Sequence, residues 1–161
     1  IYGIILLLGA ATGARNPLDP LRNITTAVSV TGSGEHASQH LAFNRIKGID
    51  DFNAAVQEST RQGRPVMLDF YADWCTYCIK MEDYTFSDSR VQQALANVTL
   101  LQADVTANDA TDLALLNHFK LFAPPAILFF GTDGEERRNH RMVGYMNADD
   151  FLEHVEGALG N

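Results

Sequence analysis

Cys75 and Cys78 are the only cysteines in the 161-residue chain, and they closely follow the apolar run Pro65-Val66-Met67-Leu68-Asp69-Phe70-Tyr71. A continuous apolar run of this length, bounded by punctuation, is the pattern of a strand buried on both faces of a sheet. A helix is expected to start at the cysteines, and residues at i and i+3 share a helix face, so the two sulfurs can come within bonding range. The pair then sits at the carboxyl end of a strand in an open α/β sheet, where such folds place their sites. The single acid inside the strand, Asp69, breaks an otherwise apolar pattern.

The flanking sequence extends this unit in both directions. Residues 43–47 read as a short edge strand, and Asp50 or Asp51 can cap a helix in which Phe52, Ala55, Val56 and Ser59 share a face until Gly63 stops it. After the cysteines the helix is expected to continue past Met81, and residues 88–96 form a second helical piece with Val91 and Leu95 on one side. Residues 98–103 return to β character, residues 109–119 form an amphipathic helix, and residues 126–130 form a short apolar strand. Thr132-Asp133-Gly134 is a tight turn across which residues 138–143 would pair, and Asn147 caps a last helix carrying Phe151, Leu152, Val155 and Leu159. Alternating strands and helices ending in a hairpin call for an α/β fold, with a central mixed sheet flanked by helices on both faces.

Two segments precede this unit. Residues 1–14 are uncharged and strongly apolar, but shorter than the roughly 20 residues that span a bilayer. They read as the remnant of a transmembrane helix ending at Arg15-Asn16-Pro17, in preference to a signal peptide, whose positively charged leading region is missing. Residues 15–40, rich in Asn, Pro, Thr, Ser and Gly, read as a flexible linker, which leaves residues 41–161 as the folded domain.

Composition removes several classes of function. A net charge of −8 argues against a surface for nucleic acid or anionic lipid, since phosphates demand clustered Lys and Arg. Two cysteines exclude both a multi-bridge secreted scaffold and a four-cysteine zinc site, and none of the five histidines lies close enough in sequence to Cys75 to complete a finger-like motif. The histidines are expected at the surface.

The chemistry therefore rests on the pair. Cys75, at the helix start, gains from unsatisfied backbone N–H groups and the positive end of the macrodipole, which favour the attacking thiolate; Cys78, one turn in, is the natural resolving thiol. Trp74 offers an apolar platform beside the nucleophile, against the alternative that it fills the core. Pro124-Pro125 stands just before the strand at 126–130, where a cis X-Pro bond would turn the chain and present backbone to a partner's extended segment. A bare Cys-x-x-Cys also fits half a zinc site or a static disulfide in a binding module.

The residues Tyr71-Ala72-Asp73-Trp74-Cys75 and Cys78, with Asp69 upstream and a Pro before the downstream β-run, resemble the thioredoxin superfamily. The longer strings Pro65-Val66-Met67-Leu68-Asp69, Tyr84-Thr85-Phe86-Ser87-Asp88 and Val105-Thr106-Ala107-Asn108-Asp109 resemble the C-terminal, periplasmic domain of the bacterial thiol:disulfide interchange family DsbD, from about Phe43 to Leu159. The resemblance implies a thioredoxin fold and a protein-disulfide reductase working through a redox-active Cys75–Cys78 disulfide, with no other cofactor and no metal. It implies a monomeric domain on the periplasmic side of the inner membrane. This domain would take electrons from a membrane domain and pass them to the N-terminal domain of the same protein, and indirectly to periplasmic disulfide isomerases and cytochrome c maturation proteins. Carried over by position, Cys75 is the nucleophile, Cys78 the resolving thiol and Pro125 the cis-proline, while Pro124 departs from the usual small or apolar residue and removes one N–H from the loop. Asp69 and Glu82, the latter at Cys78 plus four, are expected to raise the pKa of Cys75, since nearby negative charge disfavours a thiolate. Thr76-Tyr77 between the cysteines holds no His or Lys to stabilise a thiolate strongly, which favours a reductant over the alternative, a membrane-tethered oxidase or isomerase.

Overall fold

The computed structural model describes residues 40–160. The expected membrane-helix remnant at 1–14, and all but the last residue of the expected linker at 15–40, lie outside the described residues.

The elements run β1 (Asn44–Ile46), α1 (Ile49–Arg61), β2 (Val66–Tyr71), α2 (Thr76–Lys80), a π-helical segment (Met81–Thr85), α3 (Ser89–Ala94), β3 (Thr99–Asp104), α4 (Ala110–His118), β4 (Ala126–Phe130), a 3₁₀ turn (Arg138–His140), β5 (Met142–Val143) and α5 (Ala148–Leu159). The five strands form one sheet in the order β1-β3-β2-β4-β5. β1, β3 and β2 are parallel, β4 runs antiparallel to β2, and β5 antiparallel to β4, so the sheet is mixed.

β2, apart from Asp69, and β4 are apolar because both of their faces are covered, and the pleat sends alternate side chains to opposite layers. Val66, Leu68 and Phe70 from β2, with Leu128 and Phe130 from β4, meet Phe52 of α1 and Leu115 and Leu116 of α4. Phe119 closes this layer, its ring edge-on to Phe52 at 5.1 Å. On the other face Met67, Ile127 and Phe129 meet Met81, Phe86, Val91, Phe151 and Val155 from the helices packed there. Among the described residues no helix is long and apolar enough to cross a membrane.

The local chemistry follows the sequence pattern with three corrections. α1 begins earlier than an Asp cap would place it: Gly48 holds the cap position without a side-chain bond, and Asp50 and Asp51 sit inside the first turn, where the helix dipole favours acids. Asp51 Oδ2 accepts instead from the Lys47 backbone N–H at 3.0 Å. Second, the helix that starts at the cysteines does continue past Met81, but as a π turn, closed by Phe86 N–H donating to Met81 O at 2.8 Å. Third, residues 138–143 do not pair as one strand. Glu136 bridges Phe130, residues 138–140 coil into the 3₁₀ turn, and only Met142 and Val143 rejoin β4. The detour is held by Arg141, which chelates Glu136 and donates Nη1–H to Phe119 O at 2.6 Å. Asn147 caps α5 as read, and α4 carries a cap that was not read, the reciprocal capping box of Asp109 and Asp112. Gly63, at φ +66, ends α1 in a conformation that L side chains rarely adopt.

Candidate active site

β2 delivers the chain to the site, and a tight turn then reverses it. Cys75 N–H donates to Ala72 O at 3.0 Å, and Cys75 caps α2 in an extended conformation. Its Sγ accepts the Cys78 backbone N–H at 3.2 Å, so one orphan donor of the helix start is aimed at the first sulfur. The two sulfurs are bonded, with their Cα atoms 5.3 Å apart. Both cysteines are covered, at 6% and 3% exposure. Cys78 Sγ also lies 3.8 Å from the Phe70 carbonyl, an acceptor for its proton once the bond is reduced.

The surrounding loops come from three separate parts of the chain. Trp74 is exposed rather than buried as core filler, and its Nε1–H donates to Thr106 O at 3.2 Å. Thr106 Oγ1 accepts the Asp73 N–H at 2.9 Å, so the loop after β3 anchors the loop that leads to the cysteines. The Pro124–Pro125 bond is cis, and Pro125 O accepts the Gly144 N–H at 3.0 Å. Because the next residue, Ala126, is registered against Phe70, the two prolines stand beside the end of β2 that carries the dithiol. Phe122, in the same loop, is 99% exposed. Tyr77, between the cysteines, is exposed with Lys80 Nζ 5.6 Å from its ring centre.

The strand that leads to the pair carries an acid with unusual surroundings. Asp69 is 4% exposed and accepts from Gln102 Nε2 at 2.8 Å. Burial pushes its carboxyl up to about 7; the Gln102 bond and the Arg45 charge pull the other way, and the Glu82 charge adds to the rise. Glu82 is half-buried on the π segment, and its charge also reaches Tyr71. Burial first, then a bond to Asp73 and the charges of Glu82, Asp73 and Asp104, hold the Tyr71 phenol up at about 12. Arg45 pairs with Asp104 and places its guanidinium 5.4 Å from the Tyr71 ring centre.

The structure thus joins Cys75 and Cys78, sets Asp69 one strand position from Phe70, and couples Glu82 to Asp69 through charge. Four neighbours carried no mark in the sequence reading: Arg45, Gln102, Thr106 and Phe122. Gln102 had a readable signal, since it is the lone polar residue among the inner positions of its strand, as Asp69 is in β2. The histidines divide: His118 is exposed, whereas His140 and His154 are half-buried with rings 5.7 Å apart. Among the described residues no group of three or more His, Cys, Asp or Glu side chains could hold a metal ion.

A strand running into a capped helix with a bonded Cys-x-x-Cys, beside a cis-proline loop at the end of a mixed sheet, defines a class. A model of the family described as thioredoxin-like matches residues 47–132, more than half of the chain, and the chain belongs to that family. Within it the chain is similar to the thiol:disulfide interchange protein DsbD. It is 46% identical to DsbD of Ralstonia nicotianae over 160 residues, 99% of this chain and 26% of that protein, and 46% identical to DsbD of Escherichia coli over 155 residues. The solved structure of the Neisseria meningitidis DsbD C-terminal domain in the oxidised form superposes with a TM-score of 0.62 at 34% identity, covering 71% of this chain and 99% of that one. The chain is a thiol-disulfide oxidoreductase domain built on Cys75 and Cys78, and it spans about a quarter of the length of the curated relatives it matches.

Proposed function

We propose that this domain is the electron relay of a longer protein-disulfide reductase, taking an electron pair from a membrane domain and passing it to protein disulfides on the periplasmic side. In this reading the first recipient is the N-terminal domain of the same protein. Disulfide isomerases and cytochrome c maturation proteins lie further along the chain of transfer. The observation that carries the proposal is the bonded pair itself, with the Cys75 sulfur facing a helix-start N–H and the Cys78 sulfur enclosed.

The cycle balances in two exchanges. A donor thiolate attacks one sulfur of the pair, the other leaves as thiolate and takes a proton, and the donor's second thiol resolves the mixed disulfide, leaving the pair reduced and the donor oxidised. In the forward step Cys75 thiolate attacks the recipient's disulfide, and Cys78, deprotonated in turn, displaces the recipient as a dithiol. Asp69 and Glu82 tune this by opposing the Cys75 thiolate, so the reduced pair stays quiet until docking changes its surroundings. Trp74, Pro124 and Pro125 supply the face on which the recipient docks; Pro124 keeps its carbonyl as an acceptor but lends no N–H.

Reduction of insulin disulfides by the reduced chain tests the reading. Cys75→Ser should abolish turnover, and Cys78→Ala should strand a mixed disulfide on Cys75 that dithiothreitol releases. If Cys78→Ala captures no partner sulfur, the cysteines are a static crosslink and the relay fails.

A further inference from the structure

Gln102 is a costly residue where it stands. It is 2% exposed on a central strand, and burying a carboxamide requires that its hydrogen bonds be replaced. Its place is set by the sheet: β3 is parallel to β2, and Gln102 is registered directly against Asp69. From there its Nε2 donates to Asp69 Oδ2 at 2.8 Å. The other neighbours of the acid are of three kinds. Glu82 approaches from the π segment with a like charge, Arg45 from β1 with an opposite one, and β4 presents the uncharged Ile127. Tyr71, two positions along the same strand, is a neutral phenol over the working range.

A carboxamide can serve either form of the acid. Its NH₂ donates to a carboxylate, and its C=O accepts from a carboxylic acid, so one side chain satisfies both protonation states of Asp69 after a rotation about its last bond. A Lys would bind the anion and resist its protonation, and a Leu would leave the anion unpaired.

We propose that Gln102 is a positioning residue of the redox site: it holds the Asp69 carboxyl group on the strand that leads to the dithiol and lets it gain or lose a proton in place. The functional weight of this inference rests on the reading that Asp69 tunes the cysteines. Gln102 touches neither sulfur and acts only through the acid.

Two titrations on the folded domain test it. The Asp69 carboxyl carbon is followed by NMR in the oxidised protein, and the Cys75 thiolate by its ultraviolet absorbance in the reduced one. Gln102→Leu should raise the proton affinity of Asp69 about tenfold, the effect of losing one hydrogen bond to a charged group. Gln102→Lys should lower it by a similar factor or more. The Gln102→Leu effect on the Cys75 titration should vanish in an Asp69→Asn background, which a merely structural role would not predict. An Asp69 midpoint that stays put in both variants overturns the proposal, as does a Cys75 shift that persists undiminished without the acid. Should Gln102→Leu fail to fold, Gln102→Lys decides alone: no fall in the Asp69 midpoint refutes the role. If the midpoint moves as stated while Cys75 titrates unchanged, the hold of Gln102 on Asp69 stands, and the influence of Asp69 on the cysteines is what falls.

Discussion

An ionised Asp69 is a liability for the fold. Its folded value is about 7 against a usual 3.8, because burial penalises the anion. Below both values the carboxyl is protonated whether the chain is folded or not, and no stability is lost. As pH rises from about 4 to about 7 the unfolded chain releases the proton first, so folding stability falls, and above about 7 the loss is complete. Asp69→Asn keeps an acceptor for Gln102 without the charge. It should therefore stabilise the domain by about 2 to 4 kcal/mol in urea titrations at pH 8 and by almost nothing at pH 3. If Asp69 tunes the dithiol as proposed, the same substitution should make Cys75 titrate lower, and Glu82→Gln should move it the same way. A Cys75 titration unmoved in both variants would remove the two acids from the mechanism, and a stability gain equal at pH 3 and pH 8 would show that Asp69 is not the buried proton-holder described.

At the level of elements, the π segment is where local pattern and structure part company. A five-residue turn of π-helix is not favoured by its own backbone, and here it is fixed from outside. Thr85, fully buried, donates Oγ1–H to Met146 O at 2.6 Å, and the Met146 N–H points to Met81 Sδ at 3.4 Å. Thr85→Val keeps the shape and deletes only that donor, so it should cost about 1 kcal/mol in a urea titration. No loss would mean that the segment holds itself. The partners at residues 81 and 146 are far apart in sequence, and no periodicity could announce their meeting. The same holds for β5, whose early part is diverted by Arg141 reaching Glu136 and Phe119. By contrast β2, β4, α4 and α5 were legible because their causes are local: apolar runs, interrupted in β2 only by Asp69, for the strands, and for α5 its Asn147 cap. Asp69 was legible as a lone acid in such a run. Gln102 carried the same kind of mark in its own strand, but its pairing with Asp69 was not legible, because that depends on which strand lies beside β2.

On the scale of the whole molecule, the face around the dithiol is assembled from chain segments that only the sheet brings near one another. Trp74 follows β2, Tyr77 opens α2, Phe122 precedes β4, and Val143 lies on β5, registered against Ala126; all four are exposed. The sequence marks Trp74 through its place beside Cys75, but a Phe in a loop reads equally well as core, and Leu121 beside it is in fact buried. Phe122 at 99% exposure leaves nearly its whole ring in water, an unusual position for so apolar a side chain. If the loop of Pro124 and Pro125 receives the recipient as proposed, Phe122 is a contact for it and takes no part in bond exchange. The two roles separate by substrate size. Phe122→Ala should slow reduction of insulin disulfides by about fivefold to tenfold, the loss of one aromatic contact of about 1 to 1.4 kcal/mol. Reduction of a small aromatic disulfide, which reaches Cys75 without covering the loop, should change less than about twofold, since no interface is lost there. Equal slowing of both substrates would mean that Phe122 shapes the sulfur chemistry itself, and unchanged rates with both would leave its exposure without a role in docking.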